Sequence, residues 1–365
     1  MPAQDSSPQT SSPSFADPHS GRIVLLADDL TGACDAAAAF IRSGRSVRVW
    51  FGASVQFSAP ESVQAFNTNS RSLSPGRAER VVSQAATALG SDPNSLFFKK
   101  VDSAARGPFA AEVLAAHRAL STRAILLAPA FPSAGRIVRD GVLELQDAAG
   151  KSAQVRLAGL FPFTSRSHIG QVSQPSELAP MLDSGHTILL CDSTTEADLD
   201  ALARAAQDLS GLLYAGSAGL AHALSGLNRT RPQPALLPPV SRTLLIAGSP
   251  HPVTKLQLEN LESDRFDGVQ VLQLRRQFRA ATHIRDAFRS FAPQALILTG
   301  GETALLAVNA LEAHSFILHG ELAPGIPWGV IQGGAAHGCV VVTKSGGFGA
   351  PTAFNEILAT FRGAE

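Results

Sequence analysis

The stretch Ile23-Val24-Leu25-Leu26-Ala27-Asp28-Asp29-Leu30-Thr31-Gly32-Ala33 decides the fold class of this chain. An apolar run ends at an acidic doublet, and an alanine-rich segment from Ala36 to Ile41 follows. This order predicts a strand, a turn and a helix. Ligands of open α/β sheets bind beyond the carboxyl ends of strands, beside helix N-termini. The doublet is therefore a candidate ligand site, although one aspartate, or Thr31, could instead only cap the helix.

The rest of the first half repeats this alternation. Strands are predicted at 22–28, 46–51, 96–101, 124–128, 187–192 and 211–215. Helices are predicted at 32–43, 75–89, 109–120, 196–209 and 217–225. Ser74-Pro75 is typical of a helix start, and Thr195 with Asp198 resembles a capping box. A hairpin is expected around Asp140-Gly141, and residues 148–180 are expected to be irregular.

A proline-rich segment divides the chain. Residues 228–241 hold four prolines, which disfavour helix and central strand, so we interpret them as a linker. The α/β pattern restarts after it, with strands at 242–247, 269–274 and 295–299, short strands near 316, 330 and 341, and helices at 252–263, 281–291, 302–313 and 352–361. The sequence therefore predicts two α/β domains, 21–227 and 242–365, with mainly parallel sheets and a ligand cleft between them.

Composition narrows the class of protein. The 365 residues are 45% hydrophobic and 16% charged with a formal net charge of zero, so no basic excess points to nucleic acid or membrane partners. No apolar run approaches the roughly 20 residues of a membrane span. The Ser/Pro-rich residues 1–20 are expected to be disordered and lack the features of a secretion signal. Three distant cysteines, Cys34, Cys191 and Cys339, favour a cytoplasmic location.

Polar side chains cluster at three predicted strand ends of the first half. They are Asp28-Asp29, the segment from Asn67 to Arg71 after the weak apolar run from Val63 to Phe66, and Lys99-Lys100-Val101-Asp102-Ser103 leading to Arg106. Arginine can hold a carboxylate through two hydrogen bonds, and Asp, Asn and Ser can hold hydroxyls. Each residue alone could be a cap or a solvated surface group, but together they predict a site for a small polyhydroxylated anion. Because side chains alternate along a strand, Lys99 and Lys100 are not expected to face the same pocket.

The second half instead carries glycine and hydroxyl loops at its predicted strand ends. These are residues 248–254, 299–303 and 344–349. Glycine permits close approach of a ligand to the backbone, and helix N-termini favour phosphate. The three loops together indicate a nucleotide, although each alone could be a tight turn. The absence of a GxGxxG fingerprint disfavours a nicotinamide oxidoreductase, and no Walker A sequence is present.

These residues, taken in order, resemble the four-carbon acid sugar kinase family. The resemblance covers about residues 22–361 and rests on the following motifs: Ala27-Asp28-Asp29-Leu30-Thr31-Gly32-Ala33, Asn69-Ser70-Arg71, Lys99 to Ser103 with Arg106-Gly107, Ala128-Pro129-Ala130-Phe131-Pro132, Gly216 to Ala221, Gly248-Ser249 with Pro252-Val253-Thr254, Gly300-Gly301-Glu302-Thr303, Pro324 to Trp328, and Lys344-Ser345-Gly346 with Phe348-Gly349.

The resemblance implies an N-terminal sugar-acid domain, a C-terminal ATP domain and phosphorylation of the terminal hydroxyl of a four-carbon sugar acid. Mg²⁺ would accompany ATP, and homo-oligomers are compatible with the sequence. The substrate-binding candidates are Asp28, Asp29, Arg71, Lys99, Lys100, Asp102 and Ser103. The nucleotide-binding candidates are Ser249, Gly300, Gly301, Glu302, Thr303 and Gly346. Asp29, Asp102 and Arg106 are the catalytic candidates, with the choice of base between Asp28, Asp29 and Asp102 left open.

Several positions depart from the pattern of the family. Asn67 or Asn69 replaces an aspartate, Ala104-Ala105 replaces Thr-Leu, and Gly347 replaces an asparagine. These departures leave the identity and stereochemistry of the sugar acid open. They also motivate an alternative hypothesis, a non-catalytic sensor of sugar acid or nucleotide on the same scaffold.

Overall fold

The computed structural model describes residues 21–52, 60–90, 92, 94–146, 152–226, 237–262, 266–274 and 279–363. The disordered tail predicted at 1–20 lies outside these residues, and so do positions 228–236 of the predicted linker. Below, residues 21–226 are called the N-terminal half and residues 237–363 the C-terminal half.

The elements alternate much as the sequence predicts. The strands are β1 Ile23–Ala27, β2 Val47–Trp50, β3 Val63–Asn67, β4 Leu96–Lys100, β5 Ala124–Ala128, β6 Arg136–Arg139, β7 Val142–Gln146, β8 Ser152–Arg156, β9 Ile169–Val172, β10 Ile188–Cys191, β11 Leu212–Gly216, β12 Thr243–Ala247, β13 Val269–Gln273, β14 Ala295–Thr299, β15 Ser315–Ala323, β16 Ile326–Gln332 and β17 Val340–Lys344. The helices are α1 Leu30–Ala38, α2 Pro75–Leu89, α3 Phe109–Leu120, α4 Phe163–Arg166, α5 Leu178–Asp183, α6 Glu196–Ala206, α7 Ala218–Gly226, α8 Pro252–Glu259, α9 Ala280–Phe291, α10 Gly301–Ala310 and α11 Ala353–Phe361.

Among the described residues, fourteen strands form one sheet in the order β13-β12-β14-β17-β16-β15-β2-β3-β1-β4-β11-β5-β10-β9. Two blocks of this sheet are parallel. One consists of β2, β3, β1, β4, β11, β5, β10 and β9, and the other of β13, β12, β14 and β17. Three antiparallel pairings, β17 with β16, β16 with β15 and β15 with β2, connect the two parallel blocks. The prediction of an α/β fold with mainly parallel strands is confirmed, and the sheet continues from one half into the other.

Strand β1 lies between β3 and β4, so the chain winds to opposite sides of β1 before and after α2. In open α/β sheets such a switch leaves a crevice at the carboxyl ends of the strands. The fold therefore places Asp28 and Asp29 at the position where a ligand crevice is expected. All five residues of β1 are buried, as expected for a central strand covered on both faces.

Both faces of the C-terminal sheet are packed. On β12, Leu244 and Ile246 join the large core, whereas Leu245 and Ala247 pack into a second core with Phe354 and other residues of α11. This alternation follows the two-residue period of a strand. Full burial of each such aliphatic side chain contributes about 1.5–3 kcal/mol. The loops beyond the strand ends are therefore held on a rigid support.

Helix α1 begins at the acidic doublet. Asp29 has extended dihedral angles and accepts a hydrogen bond from the backbone N–H of Gly32, which makes it the N-cap. All nine residues of α1 are buried, because the helix packs against α7 and β3 of its own half and against α10 and β15 of the other. The helix predicted at 32–43 reaches Ser43, but its second part is a 3₁₀ helix, Ala39–Ser43, which is followed by Gly44 with φ 76°.

The segment between the hairpin and β10 is more regular than the sequence predicts. The hairpin is confirmed as β6 and β7, and β8 extends it to a separate three-stranded sheet. Residues 152–180 also contain α4, β9 and the start of α5, so the expectation of irregular structure is wrong there. Strand β8 is largely exposed and lacks an apolar run, which explains why the sequence pattern does not show it.

The two helix starts that the sequence predicts from capping residues differ in their caps. The capping box of Thr195 and Asp198 is present at α6, whereas Ser74 precedes α2 without a side-chain cap.

All three cysteines are free. In the described ranges, none of the helices combines the length and the apolar character needed to cross a bilayer.

Candidate active site

A cleft of about 590 Å³ lies between the two halves. Loops after β1, β3 and β4 form one wall, and loops after β12, β14 and β17 form the other. The carboxyl ends of both parallel blocks therefore face the same space. The predicted residues that line its N-terminal wall are Asp29, Arg71, Lys100, Asp102, Ser103 and Arg106. Those that line its C-terminal wall are Ser249, Gly300, Gly301, Glu302, Thr303 and Gly346.

Asp28 supports the cleft from behind. Its side chain is buried, and both carboxylate oxygens accept hydrogen bonds from Arg71, at 2.6 Å from Nε and 2.8 Å from Nη2. Burial alone would raise the pKa of Asp28, but the cations Arg71, Lys99 and Lys100 hold it below the usual 3.8. Asp28 does not line the cleft. From this position we expect it to hold Arg71 and not to touch the substrate.

Asp29 combines the two roles that the sequence leaves open for the doublet. Its Oδ1 accepts hydrogen bonds from Gly32 N at 2.9 Å and Arg71 Nη2 at 2.8 Å, and its Oδ2 accepts one from Thr31 Oγ1 at 2.9 Å. A Cβ atom added to Gly301 would collide with Asp29 Oδ2, so this oxygen directly faces the N-terminus of α10. Asp29 therefore caps α1 and also projects into the cleft.

Arg71 connects three carboxylates. In addition to its bonds with Asp28 and Asp29, its Nη1 lies 3.5 Å from Asp102 Oδ2. Burial would lower the pKa of Arg71, but the carboxylates raise it, so the side chain is a permanent cation. Arg71 therefore neutralises and positions the three carboxylates, and it also lines the cleft.

Asp102 is paired with Arg106 in a bidentate geometry. Arg106 donates from Nε to Oδ1 at 2.9 Å and from Nη2 to Oδ2 at 2.6 Å, and Ala104 N donates to Oδ1. Despite burial, these bonds and Arg71 hold the pKa of Asp102 far below its usual range. The Arg106 side chain is 69% exposed, so its cation is accessible to a ligand in the cleft.

The two lysines of β4 point in different directions, as expected. Lys99 is fully buried, and its Nζ lies 2.7 Å from Glu112 Oε2 of α3. Lys99 does not line the cleft, so the structure does not bring it to the predicted substrate site. Lys100 lines the cleft, and its Nζ donates to Val101 O at 2.7 Å.

The C-terminal wall presents backbone groups. Helix α10 begins after Gly300, which has φ 94° and provides no side-chain cap. The first N–H groups of a helix have no intrahelical acceptor, and they bind phosphate well. The loop after β17 packs tightly against the loop after β12, because a Cβ atom on Gly346 would overlap Ser249 Oγ. This uncapped helix start and the close backbone around it fit the polyphosphate of a nucleotide.

A hydroxyl chain connects the walls. Ser345 Oγ donates to Thr31 Oγ1 at 3.1 Å, and Thr31 Oγ1 donates to Asp29 Oδ2. Asp29 is thus linked through Thr31 to Ser345 of the C-terminal half, and its Oδ2 also faces Gly301.

Several lining residues were not among the predicted site residues: Asp35, Phe131, Arg136, Ser217, and His251 and Phe348, of which the last two lie in the predicted nucleotide loops. Asp35 lies four residues after Thr31 on α1, and this helical spacing was the available signal. Burial, the largest effect on this group, raises the pKa of Asp35 to about 7. Phe131, Ser217 and Phe348 belong to motifs that the sequence displays but that give no chemical role by themselves.

Comparison with known families agrees with this arrangement of two walls. Residues 23–224 match the model of a sugar-binding N-terminal domain, and residues 277–354 match that of a nucleotide-binding C-terminal domain. A D-threonate kinase of Bordetella bronchiseptica is 30% identical, with 90% of this chain and 94% of the relative covered. The chain belongs to the four-carbon acid sugar kinase family. The prediction of an enzyme of the sugar-acid kinase class is confirmed.

Other relatives within this kinase family act on different acids. A D-erythronate kinase of Heliobacterium modesticaldum is 25% identical over 89% of this chain and 93% of its own. A 3-oxo-tetronate kinase of Pseudomonas fluorescens is also 25% identical, over 93% and 97%. Haemophilus influenzae protein HI1011 shares the fold of this kinase, with a TM-score of 0.65, 20% identity, and 93% and 100% of the two chains covered.

Proposed function

We propose that this protein transfers the γ-phosphoryl group of ATP to the terminal hydroxyl of a four-carbon sugar acid. The observation that carries the proposal is the position of Asp29, whose carboxylate faces the uncapped N-terminus of α10 across the cleft. A hydroxyl held by Asp29 and a phosphate held by α10 would be neighbours. Phosphoryl transfer depends mainly on such alignment and on neutralisation of charge.

Among the three candidate bases, Asp29 fits best. Asp28 does not line the cleft, and Arg71 engages both of its oxygens. Asp102 is paired twice with Arg106, and its low pKa makes it a weak base. Within the described residues, Asp29 Oδ2 accepts one hydrogen bond, from the Thr31 hydroxyl, and it faces the start of α10 across the cleft. We assign Asp29 to orient the substrate hydroxyl and receive its proton, with Asp102 holding Arg106 in place.

Cations of the N-terminal wall would bind the acid and balance the charge of the transferred group. Lys100 and Arg106 line the cleft, and Arg106 is largely exposed. Mg²⁺, when bound with ATP, would neutralise its phosphate oxygens. Ser103 and Asn69, which also line the cleft, would hold the remaining hydroxyls of the acid. Threonates are the first substrates to test, because the 30% identical relative is a D-threonate kinase.

The test compares Asp29→Asn with the wild type in an ADP-release assay over threonate, erythronate and 3-oxo-tetronates. Asparagine caps helices as well as aspartate does, so the fold should be retained. Loss of a general base costs about 10²–10⁴-fold in turnover. Asp198→Asn is the matched control, because Asp198 caps α6 and does not line the cleft.

Unchanged turnover of Asp29→Asn would refute the role of this residue. Binding of ATP and sugar acid by calorimetry, without ADP release from the wild type for any acid, would instead favour the sensor hypothesis.

A further inference from the structure

Three side chains of the types that can ligate a metal ion meet beside the cleft, and one of them, Asp35, also lines it. Asp35 of α1, His222 of α7 and Glu321 of β15 each offer one ligand atom, and these atoms all lie within 4.8 Å of one another. Ligand atoms around a tetrahedral Zn²⁺ ion lie about 3.3–3.6 Å apart, given bonds of about 2.0–2.2 Å. Small side-chain rotations would therefore bring the three atoms to bonding distance.

The group is largely shielded from solvent, and one of its carboxylate oxygens has no partner among the described residues. Asp35 is 8% exposed, and its Oδ1 has no hydrogen-bond partner in the described structure. The Glu321 side chain is 6% exposed and accepts hydrogen bonds from Arg42 and, at 3.4 Å, from Gly325 N. An unpartnered buried carboxylate oxygen costs about 1–3 kcal/mol or more, so a cation at this place would satisfy a real deficit.

Charges around the group are compatible with a cation. Arg42 Nη2 lies 3.2 Å from Glu321 Oε2, but this arginine is 59% exposed and can turn into solvent. Lys100 and Asp29 are the other charged groups that affect Asp35. Two carboxylates against a divalent ion give local neutrality without Arg42.

We propose that Asp35, His222 and Glu321 form a binding site for one divalent transition-metal ion, at which Zn²⁺ binds more tightly than Mn²⁺. One imidazole nitrogen and two carboxylate oxygens suit Zn²⁺ and Mn²⁺, and affinity generally rises from Mn²⁺ to Zn²⁺. Mg²⁺ prefers oxygen ligands and retains its waters, so it binds this set weakly. None of the three ligands comes from a nucleotide, which separates this site from Mg²⁺ bound with ATP.

The ion would also hold the two halves together. Asp35 and His222 belong to the N-terminal half, whereas Glu321 belongs to the C-terminal half. A ligand that binds only the folded state raises its stability in proportion to the logarithm of its concentration. Metal binding should therefore raise the melting temperature of the whole chain.

The experiment uses full-length protein treated with a chelator and titrated with ZnCl₂, MnCl₂ or MgCl₂ by calorimetry without nucleotide. We expect one Zn²⁺ per chain, weaker binding of Mn²⁺, and a rise in melting temperature with Zn²⁺. His222→Ala and Glu321→Gln should each weaken Zn²⁺ binding at least 10-fold. His168→Ala, which changes an exposed histidine outside the group, should bind Zn²⁺ as the wild type does.

Circular dichroism of the metal-free variants establishes that they are folded, and Glu321→Gln preserves size if His222→Ala is unstable. No Zn²⁺ uptake by the wild type at 1 mM, taken as roughly the weak limit for a specific site, would overturn the proposal. Equal uptake by the wild type and folded site variants would overturn it as well. Neither outcome would bear on the kinase proposal, which is tested by ADP release.

Discussion

Neighbouring residues of this chain have separate tasks because backbone geometry sends them to different surroundings. Asp28 binds Arg71 behind the cleft, whereas Asp29 caps α1 and faces the opposite wall. Lys99 and Lys100 divide in the same way through the alternation of β4. Local pattern can predict such a division for a strand, but not which partner each side chain meets.

The lysine pair gives a test at this scale. Lys99→Met should lower the free energy of unfolding by about 3–5 kcal/mol, because it leaves Glu112 charged and unpaired in the interior. The double variant Lys99→Met/Glu112→Leu should recover much of this loss. Urea unfolding measures both, and Lys100→Met is the matched control, expected to reduce kcat/KM with a smaller loss of stability. Full stability of the Lys99 single variant would contradict the buried pairing.

At the level of elements, the N-terminus of α10 can be tested through its glycine. In Gly301→Ala the new methyl group would meet Asp29 Oδ2, so it should displace that carboxylate from the helix start and reduce kcat/KM at least 10-fold. Gly76→Ala is the control, since Gly76 lies in the first turn of α2 with open space around its Cβ position. ADP release measures activity. Equal activity of both variants would show that Asp29 does not act at this helix.

The sequence predicts elements well where burial imposes a pattern. Buried apolar runs such as β1 and β5 each follow an arginine, Arg22 or Arg123, and both strands were found close to their predicted limits. The exposed strand β8 carries no such pattern and was missed. The candidate site was predicted in part, because strand-end residues are visible in the sequence, whereas Asp35 acquires its meaning only from His222 and Glu321 on distant elements.

At the scale of the whole molecule, the antiparallel pairing of β2 with β15 joins the two halves. No local sequence pattern predicts this pairing. It makes one sheet of two blocks and fixes the walls of the cleft relative to each other. Arg48 of β2 strengthens this junction, since it donates to Ser315 Oγ at 2.9 Å and to both oxygens of Glu61. Phe316 of β15 is fully buried and packs edge-on against Phe51, with the two ring centroids 4.4 Å apart.

Because the sheet is continuous, the halves should unfold together. Trp50 reports on β2 and Trp328 on β16, so Trp50→Phe and Trp328→Phe each leave one fluorescent probe in one half. Their urea transitions should coincide, and Phe316→Ala should shift both to lower urea by a loss of about 3–5 kcal/mol. Phe163→Ala, at an 84% exposed position, should shift neither. Separate transitions for the two tryptophans would show that the β2–β15 junction does not couple the halves.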